Sequence, residues 1–352
     1  MNKRLFDLAD KLASEHTLTA GEYLSIITGA DSEVAAYLAK KARAEKEKYY
    51  GNKVFIRGLI EISNICKNDC YYCGIRKSNG NCDRYRLNSE EILDCCHEGY
   101  ELGFRTFVLQ GGEDGYFTDE RLVDLLTRIK SAHPDCAVTL SLGERSYESY
   151  RLLKEAGADR YLLRHETADN EHYARLHPEN LSHAYRLECL SNLRSLGYQV
   201  GCGFMVGSPY QTDEMLAGEL KFIEGFKPDM CGIGPFIPHK DTEFANFPAG
   251  SVDMTCLLLS CIRLIHPRVL LPATTALGTL DPTGREKGIL AGANVVMPNL
   301  SPSATRKKYM LYDNKLSDGA ESAQAKASLE ERMQSIGCEV VVARGDVIGT
   351  DK

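Results

Sequence analysis

The sequence predicts an α/β fold, a (βα)8 barrel of the TIM type with a helical extension at its N-terminus. From residue 53, short β-rich runs alternate with longer amphipathic runs, and eight such steps can be counted. Glycines punctuate four steps: Gly103, Gly157, Gly197 and Gly292 each follow a predicted helix just before a strand, where a left-handed C-cap favours glycine. Eight strand–helix units imply a closed barrel with its active site at the carboxyl ends of the strands.

The elements follow in order along the chain. Residues 1–48 are predicted to be helical throughout, because apolar residues recur at helical spacing beside a heavily charged face. Strands are predicted at 54–63, 105–110, 136–142, 160–164, 198–207, 229–236, 268–273 and 294–298. Helices are predicted at 88–103 (capped by Asn88 or Ser89), 119–133, 147–157, 183–197, 212–226, 252–265 and 284–292. We therefore expect a helical extension at 1–50, the barrel at 51–312, and a C-terminal helix and strand packed on it at 313–352.

Composition restricts the classes of function. The chain has 352 residues, 43% of them hydrophobic, and a formal net charge of -7, so nothing in its charge predicts binding to nucleic acid or to a membrane. Most of its 13 cysteines lie singly in apolar segments, and the first 30 residues contain no long apolar run. Scattered thiols without a secretion signal indicate a reducing cytoplasm rather than a disulfide scaffold.

The stretch CKNDCYYCG carries three cysteines at offsets of four and three: Cys66, Cys70 and Cys73. It follows the first predicted barrel strand and so lies on the catalytic face. Three thiolates on one loop can hold three irons of a [4Fe–4S] cluster and leave the fourth iron open. Spacing alone leaves two alternatives, a structural zinc site completed by Cys82 and a redox dithiol of Cys70 and Cys73.

The other predicted strands also end in unusual sequences. Loops favour glycine, proline and polar residues in any fold, so one such end would mean little. Seven of them on one face of a barrel indicate the lining of a ligand cavity. These strand ends read QGGED, SLGER, LRHET, MVGSP, GPFIPH, PATTALG and MPNLSP.

The cysteine loop resembles the signature of the radical S-adenosylmethionine (SAM) superfamily, C-x3-C-x-aromatic-C, with Tyr72 as the aromatic residue. QGGED, at 110–114, is similar to the glycine-rich GGE segment of that superfamily. The resemblance implies that the open iron binds the amine and carboxylate of SAM, and that reductive cleavage of SAM yields a 5′-deoxyadenosyl radical. With both motifs at neighbouring strand ends, the zinc and dithiol interpretations become minor.

A longer set of motifs narrows the resemblance. YCGIRKSN, VLQGGED, TLSLGE, ADRYLLRHET, GIGPFIPH and PATTALGT together resemble the HydE family of [FeFe]-hydrogenase maturases over roughly residues 55–312. That family implies a radical acting at the sulfur of a cysteine-ligated Fe(CO)2(CN) precursor. Biotin synthase and methylornithine synthase share the loop and barrel, so one alternative is a radical SAM enzyme with a small amino-acid substrate. Another is an iron–sulfur carrier that catalyses nothing.

The resemblance also implies roles for individual residues in cofactor binding. Cys66, Cys70 and Cys73 would hold the cluster. Glu113 would face the SAM ammonium and Arg186 its carboxylate, although the position of Arg186 on a helix is equally typical of a solvated face. The SAM-binding set is Tyr72, Gly111, Gly112, Glu113, Ser141, Glu166 and Arg186.

Deeper in the barrel, the resemblance implies a substrate side. Arg164 would point inward and need an anionic partner, because an unpaired buried cation is costly. Thr274 and Thr275 could donate hydrogen bonds to a small anion. The substrate-facing set is Thr139, Arg164, Met230, Thr274, Thr275, Tyr309 and Tyr312.

The sequence departs from the family at one point. Many HydE proteins carry further cysteines near the C-terminus for an accessory cluster, whereas this chain has only Cys338 after Tyr312. We therefore expect one [4Fe–4S] cluster and SAM as cofactors. The expected partners are an organometallic substrate, other hydrogenase maturation proteins and an electron donor.

Overall fold

The computed structural model of the chain describes residues 2–317 and 321–349. The helices precede, separate and follow the strands of a parallel sheet. They are α1 Asn2–Glu15, α2 Ala20–Gly29, α3 Ser32–Tyr50, α4 Ser89–Glu101, α5 Asp119–Ala132, α6 Tyr147–Glu155, α7 Asn170–Leu176, α8 His183–Ser195, α9 Asp213–Phe226, α10 Val252–Ile265, α11 Thr275–Leu280, α12 Gly284–Leu290, α13 Ser303–Arg306 and α14 Lys326–Ser335. A 3-10 turn at Ala323–Ala325 leads into α14.

The strands form the predicted barrel. They are β1 Lys53–Ile56, β2 Gly58–Ser63, β3 Thr106–Gly111, β4 Ala137–Ser141, β5 Arg160–Leu162, β6 Gln199–Cys202, β7 Met205–Val206, β8 Met230–Cys231, β9 Gly234–Pro235, β10 Val295–Val296 and β11 Glu339–Val341. Six of them pair in parallel in the order β2-β3-β4-β5-β6-β8. Single bridges from Met230 to Leu270 and from Pro272 to Val295, followed by β10 on β1, close the ring. The (βα)8 architecture is confirmed, and the strand predicted at 268–273 is reduced to those two bridging residues.

Three predicted strands are each interrupted. The strand predicted at 54–63 breaks at Arg57, so that β1 pairs with β10 while β2 pairs with β3. The strands predicted at 198–207 and 229–236 break where their backbones touch: a Cβ on Gly203 would lie 2.0 Å from the Gly232 carbonyl oxygen. Beyond the break their second halves, β7 and β9, pair with each other and extend the rim of the barrel.

Helix ends agree well with the sequence prediction. All four glycines predicted as left-handed C-caps have positive φ, from 73° at Gly197 to 112° at Gly157. Asn88 caps α4, and its side chain and that of Glu91 accept each other's backbone N–H in a capping box.

The N-terminal region is three helices rather than one. α1 ends before Thr19 caps α2, and Asp31 caps α3 by accepting from the N–H groups of Glu33 and Val34. α3 packs on α10 and α2 packs on α9, so this region lies against the outer wall of the barrel. In the described parts of the chain, no helix is both long and apolar enough to span a membrane.

The C-terminal region closes the amino-terminal end of the barrel. β11 pairs in parallel with β1, from Lys53 opposite Glu339 onward. Beyond it, the Arg344 carbonyl accepts from the Thr106 hydroxyl at 2.7 Å, and Asp346 accepts from Arg160 at 2.7 Å. The predicted helix and strand are therefore α14 and β11, and residues 318–320 of that predicted region lie outside the described residues.

Candidate functional site

The three thiols of the predicted cluster loop follow β2 and lie close enough to shift one another's pKa. Burial raises the pKa of the Cys70 thiol well above its ordinary value, and the nearby thiols of Cys73 and Cys66 raise it further. Burial and Cys66 likewise raise the pKa of Cys73 to about 12. Protonated thiols brought together in this way release their protons only to a strong positive charge, which bound iron supplies. This donor set therefore fits a metal cluster.

Gly112 lets the neighbouring strand end pack directly against the cysteine loop. A Cβ on Gly112 would lie 2.3 Å from the Ile65 carbonyl oxygen and 2.8 Å from the Cys66 Cβ. The next N–H, that of Glu113, points at Cys66 Sγ over 3.4 Å. A Cβ added to Gly111, by contrast, would have as its nearest atom the Ser63 carbonyl oxygen, at 3.3 Å. The glycine requirement is therefore steric, and it is stricter at Gly112.

The Glu113 carboxylate is held at the rim of the barrel with one oxygen turned to a cation. Its Oε1 accepts the backbone N–H of Glu144 at 3.0 Å, and its Oε2 lies 3.0 Å from the ammonium of Lys67. Gly143, with φ of 73°, makes room for this side chain, since a Cβ there would lie 2.1 Å from Glu113 Cγ. Sequence reasoning missed both Gly143 and Lys67, although Gly143 lies within the SLGER strand end.

Arg186 is buried rather than solvated. Its Nε donates to Glu144 Oε1 at 2.5 Å and its Nη1 donates to the Arg164 carbonyl oxygen at 3.1 Å. Only 7% of the residue is exposed, although α8 lies on the outer ring of the barrel. Glu144 is the third residue that the sequence prediction missed, and it fixes the guanidinium toward the barrel rim.

Glu166 has a backbone conformation that non-glycine residues rarely adopt, with φ of 68°. Its N–H donates to the Gly203 carbonyl oxygen, which holds the residue against β6. The Glu166 Oε2 and the Arg164 Nη2 are 3.5 Å apart, and neither atom has a hydrogen-bond partner among the described residues. Left-handed backbone at a buried charged residue is typical of ligand sites, where strain is retained for function.

Tyr72 and Ser141 are the remaining residues of the predicted SAM-binding set. The Tyr72 hydroxyl lies 3.1 Å from His177 Nε2, and His177 Nδ1 lies 3.0 Å from the Tyr173 carbonyl oxygen. Burial lowers the pKa of His177 to about 3, so its ring is neutral near pH 7; Nδ1 then donates to the carbonyl and Nε2 accepts from Tyr72. Ser141 ends β4 and is partly exposed.

Two of the predicted substrate-facing threonines carry buried hydroxyls with no hydrogen-bond partner in the described part of the chain. Thr139 Oγ1 is one, in the middle of β4; Thr274 Oγ1 is the other, and it caps no N–H of α11 although Thr274 precedes that helix. Thr275 points elsewhere: its hydroxyl donates to Glu321 Oε2 at 3.1 Å.

Met230 lies lower in the barrel than the other predicted residues. Its sulfur is 2.8 Å from Arg57 Nη1, and it packs with Tyr50 and Phe55. Together with Thr139 it lines a small internal cavity of about 20 Å³. A cavity of this size holds one water-sized molecule.

The two predicted tyrosines lie on residues 307–317, the segment that follows α13 and crosses the barrel mouth. Tyr309 is buried, and its hydroxyl is 3.5 Å from Gln110 Nε2. Burial raises the pKa of Tyr312, a hydrogen bond with Thr279 lowers it, and the charges of Glu321, Glu61 and Arg164 also act on it. These charges therefore share one polar region with the predicted substrate residues.

Cys82, the ligand of the zinc alternative, lies near Cys73 and raises the pKa of that thiol, but it also faces the surface. Its sulfur accepts from Asn64 Nδ2 at 3.5 Å, and it lines a surface groove with His239 and Asp241. Within residues 2–317 and 321–349, no group of three or more histidine, cysteine or acidic side chains is placed to hold a single metal ion.

The buried polar atoms without partners test whether the site fits SAM and its cluster. Buried polar atoms in folded proteins nearly always have partners, because leaving one unpaired costs about 1–3 kcal/mol. Here Arg164 Nε and Nη2, Glu166 Oε2 and Thr274 Oγ1 all lack them among the described residues, at the end of the barrel that carries the thiols. The site fits a polar ligand placed beside a thiolate-bound cluster.

Comparisons with known proteins agree with this geometry. The model of the Radical SAM superfamily matches residues 60–223. The [FeFe] hydrogenase maturase subunit HydE of Thermotoga maritima is 46% identical over 279 residues, which is 79% of each chain. The 3-methylornithine synthase of Methanosarcina acetivorans is 29% identical over 90% of this chain and 87% of its own.

The structural comparison points to the same fold. The crystal structure of methylornithine synthase (PylB) superposes with a TM-score of 0.84 at 27% identity, covering 95% of this chain and 97% of that one. Enzymes of this class use a [4Fe–4S] cluster and SAM as cofactors. The chain therefore belongs to the radical SAM superfamily, as a radical SAM enzyme of the HydE maturase family.

Proposed function

We propose that this enzyme acts in the maturation of the [FeFe]-hydrogenase active site, on a cysteine-ligated Fe(CO)2(CN) precursor. The observation that carries the proposal is the set of buried polar atoms without partners, from Arg164, Glu166 and Thr274, beneath the three thiols. The 46% identity to HydE over most of both chains supports the same assignment. The cluster and SAM, when bound, supply a 5′-deoxyadenosyl radical, and we propose that the sulfur of the precursor is its target.

The residues of the rim would bind and orient SAM. Cys66, Cys70 and Cys73 would hold the cluster. Glu113 Oε2 already lies 3.0 Å from a primary ammonium, that of Lys67, and has no hydrogen-bond partner among the described residues. Its carboxylate is therefore placed to accept from the ammonium of SAM. Arg186, fixed by Glu144, would bind a carboxylate, and Glu166 would accept from ribose hydroxyls.

The residues deeper in the barrel would bind the precursor. Arg164 offers guanidinium N–H groups and Thr274 a hydroxyl, all suited to a complex that carries cyanide and carboxylate groups. Thr139 and Met230 would form the far wall, beside Tyr309 and Tyr312 above. No general base is required, since the task of the protein is to exclude water and to hold the reacting atoms within van der Waals contact. Addition of the adenosyl carbon to the sulfur would form a new C–S bond as the cysteine Cβ–S bond breaks. The carbon-centred radical left on the amino-acid remnant would take one electron from the donor and a proton, and the iron unit would be released for di-iron assembly.

The cellular setting belongs to the same proposal. A reducing cytoplasm would keep the thiols available for the cluster. An electron donor would reduce the cluster, and other maturation proteins would supply the precursor and take up the product.

The test is anaerobic. The cluster is reconstituted and reduced, SAM and the synthetic iron complex are added, and 5′-deoxyadenosine and released iron products are measured by chromatography and spectroscopy. Wild type is expected to consume both SAM and the complex, and Arg164→Ala is expected to cleave SAM but lose turnover of the complex. Cleavage of SAM without consumption of the complex by wild type would overturn the proposal.

A second candidate is an amino-acid mutase, favoured by the TM-score of 0.84 to methylornithine synthase. Under that function wild type would convert a small amino acid, and Arg164→Ala would retain the activity. An iron–sulfur carrier without catalysis would need no SAM site, so its signature is an unchanged SAM affinity in Glu113→Ala and Arg186→Ala.

A further inference from the structure

The ion pair of Glu61 and Lys315 is buried inside the barrel mouth, and neither residue belongs to the cofactor-binding or substrate-facing sets described above. Glu61, on the inner face of β2, pairs with Lys315 over 2.6 Å between Oε1 and Nζ, and the two side chains are 0% and 6% exposed. The other carboxylate oxygen of Glu61 accepts from Asn299 Nδ2 at 2.9 Å. Each carboxylate oxygen of Glu61 therefore has one donor, and its charge is neutralised by Lys315.

Lys315 is brought to this position by the backbone of the segment that crosses the mouth. Asp313 anchors the segment to the loop after β9, with its N–H donated to the Pro238 carbonyl and its carboxylate accepting the Lys240 N–H. Asn314 then adopts a left-handed conformation, φ 57°, which asparagine tolerates better than most residues. The turn directs the next side chain, that of Lys315, into the barrel.

The ammonium of Lys315 is only partly satisfied. A lysine ammonium has three N–H donors, and within the described residues it donates to Glu61 alone. Its remaining contact is with the ring of Tyr309, whose centroid is 5.3 Å away. Two other cations act in this region: Arg285 is paired with Glu321, and Arg164 lies 3.5 Å from Glu166. Both also keep buried N–H donors without partners among the described residues, but neither contacts the Tyr309 ring as Lys315 does. Lys315 thus keeps two spare donors next to Tyr309, one of the predicted substrate-facing residues.

We propose that Lys315 is a substrate-binding residue that holds the carboxylate of an amino-acid-derived substrate. Two free N–H donors on a nearly buried cation match the oxygens of one carboxylate, and low local polarity strengthens such charged hydrogen bonds. Glu61 and the Tyr309 ring hold the ammonium in place before the substrate arrives, so little side-chain entropy is lost on binding. This inference rests on the proposed function for the identity of the amino acid, which would be cysteine.

The experiment measures binding by calorimetry, with SAM-saturated holoenzyme and its cluster left oxidised. The probes are S-methyl-L-cysteine and S-methylcysteamine, which differ only in the carboxylate. Wild type is expected to prefer the first probe by about 10- to 100-fold, and Lys315→Met is expected to abolish the preference. Lys315→Arg should restore part of it. Lys308→Met, which changes a surface lysine paired with Asp83, should leave it intact.

Two further measurements keep the test decisive. If Lys315→Met folds poorly because Glu61 is left unpaired, the double variant with Glu61→Gln removes that charge and should show the same loss of preference. Tighter binding of both probes to Lys315→Met would show that Lys315 merely obstructs the mouth, and an unchanged preference would also overturn the inference. Turnover of the iron complex is measured separately, so a carboxylate preference without turnover would refute the proposed function alone.

Discussion

The two ends of the barrel treat buried polar groups in opposite ways. At the amino-terminal end, Arg160 is fully buried, yet it donates to Asp346, to the Arg344 carbonyl and to Thr106. At the carboxyl end, Arg164 lies four residues later on the same strand and loop, and its Nε and Nη2 have no hydrogen-bond partner among the described residues. At one end the chain satisfies the hydrogen-bonding groups of its buried charges, whereas at the other Arg164 and Glu166 face each other by charge alone and keep hydrogen-bonding atoms open for a ligand.

The difference between the two ends distinguishes polar groups that stabilise the fold from polar groups that are available to bind a ligand. Where the chain provides every partner, a polar group contributes to the folded state, and the C-terminal segment is the source of those partners. Where partners are missing, the chain bears a cost that a ligand can remove. Arg57 and Asn294 are exceptions at the closed end, since Arg57 Nε and Asn294 Nδ2 lack partners in the described chain, and Arg57 borders the internal cavity.

The largest expected effect comes from removing a thiol at the open end. Cys70→Ala should abolish cluster assembly and SAM cleavage, because two thiolates cannot hold three irons. Iron content and 5′-deoxyadenosine formation are measured after reconstitution. The matched control is Cys261→Ala, which removes a fully buried thiol in α10 and should retain both. Intact SAM cleavage in Cys70→Ala would contradict the cluster assignment.

A pair of glycines with the same φ of 73° provides the second test. Gly143→Ala should weaken SAM binding at least about tenfold, since the new Cβ would displace the Glu113 carboxylate. Gly197→Ala meets no atom within 4 Å, so it should cost only the backbone strain of about 1 kcal/mol and leave SAM binding unchanged. Equal SAM affinities in the two variants would show that Glu113 does not contact SAM.

At the closed end, Asp346→Asn should lower the free energy of unfolding by about 2 kcal/mol, because Arg160 loses its carboxylate partner. SAM cleavage should be unaffected at temperatures where the variant is folded. Asp281→Asn, which breaks an exposed pair with Lys287, should have a smaller effect on unfolding. Loss of SAM cleavage in folded Asp346→Asn would contradict the division between the two ends.

The same group predicts how stability changes with pH. Burial alone would raise the pKa of Asp346, but Arg344 and Arg160 hold it well below its ordinary value. Because the pKa of Asp346 is lower in the folded than in the unfolded state, its contribution to the free energy of unfolding is fully present above about pH 4. That contribution is lost as the pH falls through the pKa of the folded state. Urea unfolding below pH 4 should therefore reduce the difference between wild type and Asp346→Asn, and a constant difference would refute this linkage.

The smallest effect concerns backbone strain. Lys227 ends α9 in a left-handed conformation and is exposed, so Lys227→Gly should raise the free energy of unfolding by up to about 1 kcal/mol without changing SAM binding. Glu166→Gly should remove a similar backbone strain, and so raise the free energy of unfolding by a similar amount, but it should lower the affinity for SAM. Calorimetric melting and SAM titration of both variants test this. Retained affinity in Glu166→Gly would remove Glu166 from the SAM site.

Local chemistry made the barrel predictable from the sequence. The glycine C-caps and the Asn88 capping box depend on neighbouring residues, and the structure confirms them. The interruptions after Cys202 and Cys231 were not predictable, because they depend on two glycines from different strands meeting backbone to backbone. Contacts distant in sequence leave no periodic signal.

The same limit applies to the site. The cysteine spacing and the GGE segment are contiguous motifs, so the sequence identified them directly. Glu144 was missed because its function depends on Arg186, 42 residues later on another element. Lys315 was missed because nothing marks a lysine in a polar loop until the fold places it beside Glu61, 254 residues earlier.

The pairing of β11 with β1 has a consequence for how the protein is made. Lys53 meets Glu339, so this part of the barrel forms only after almost the whole chain has been translated. At ~5–20 residues per second, the ribosome needs roughly 15–60 s to span that interval. During that time the first strand has an unpaired edge, and the cysteine loop beside it has already emerged. Nascent chains would therefore expose both an aggregation-prone edge and three free thiols. During this period, binding by chaperones would compete with aggregation, and cluster delivery by iron–sulfur proteins would compete with oxidation of the thiols.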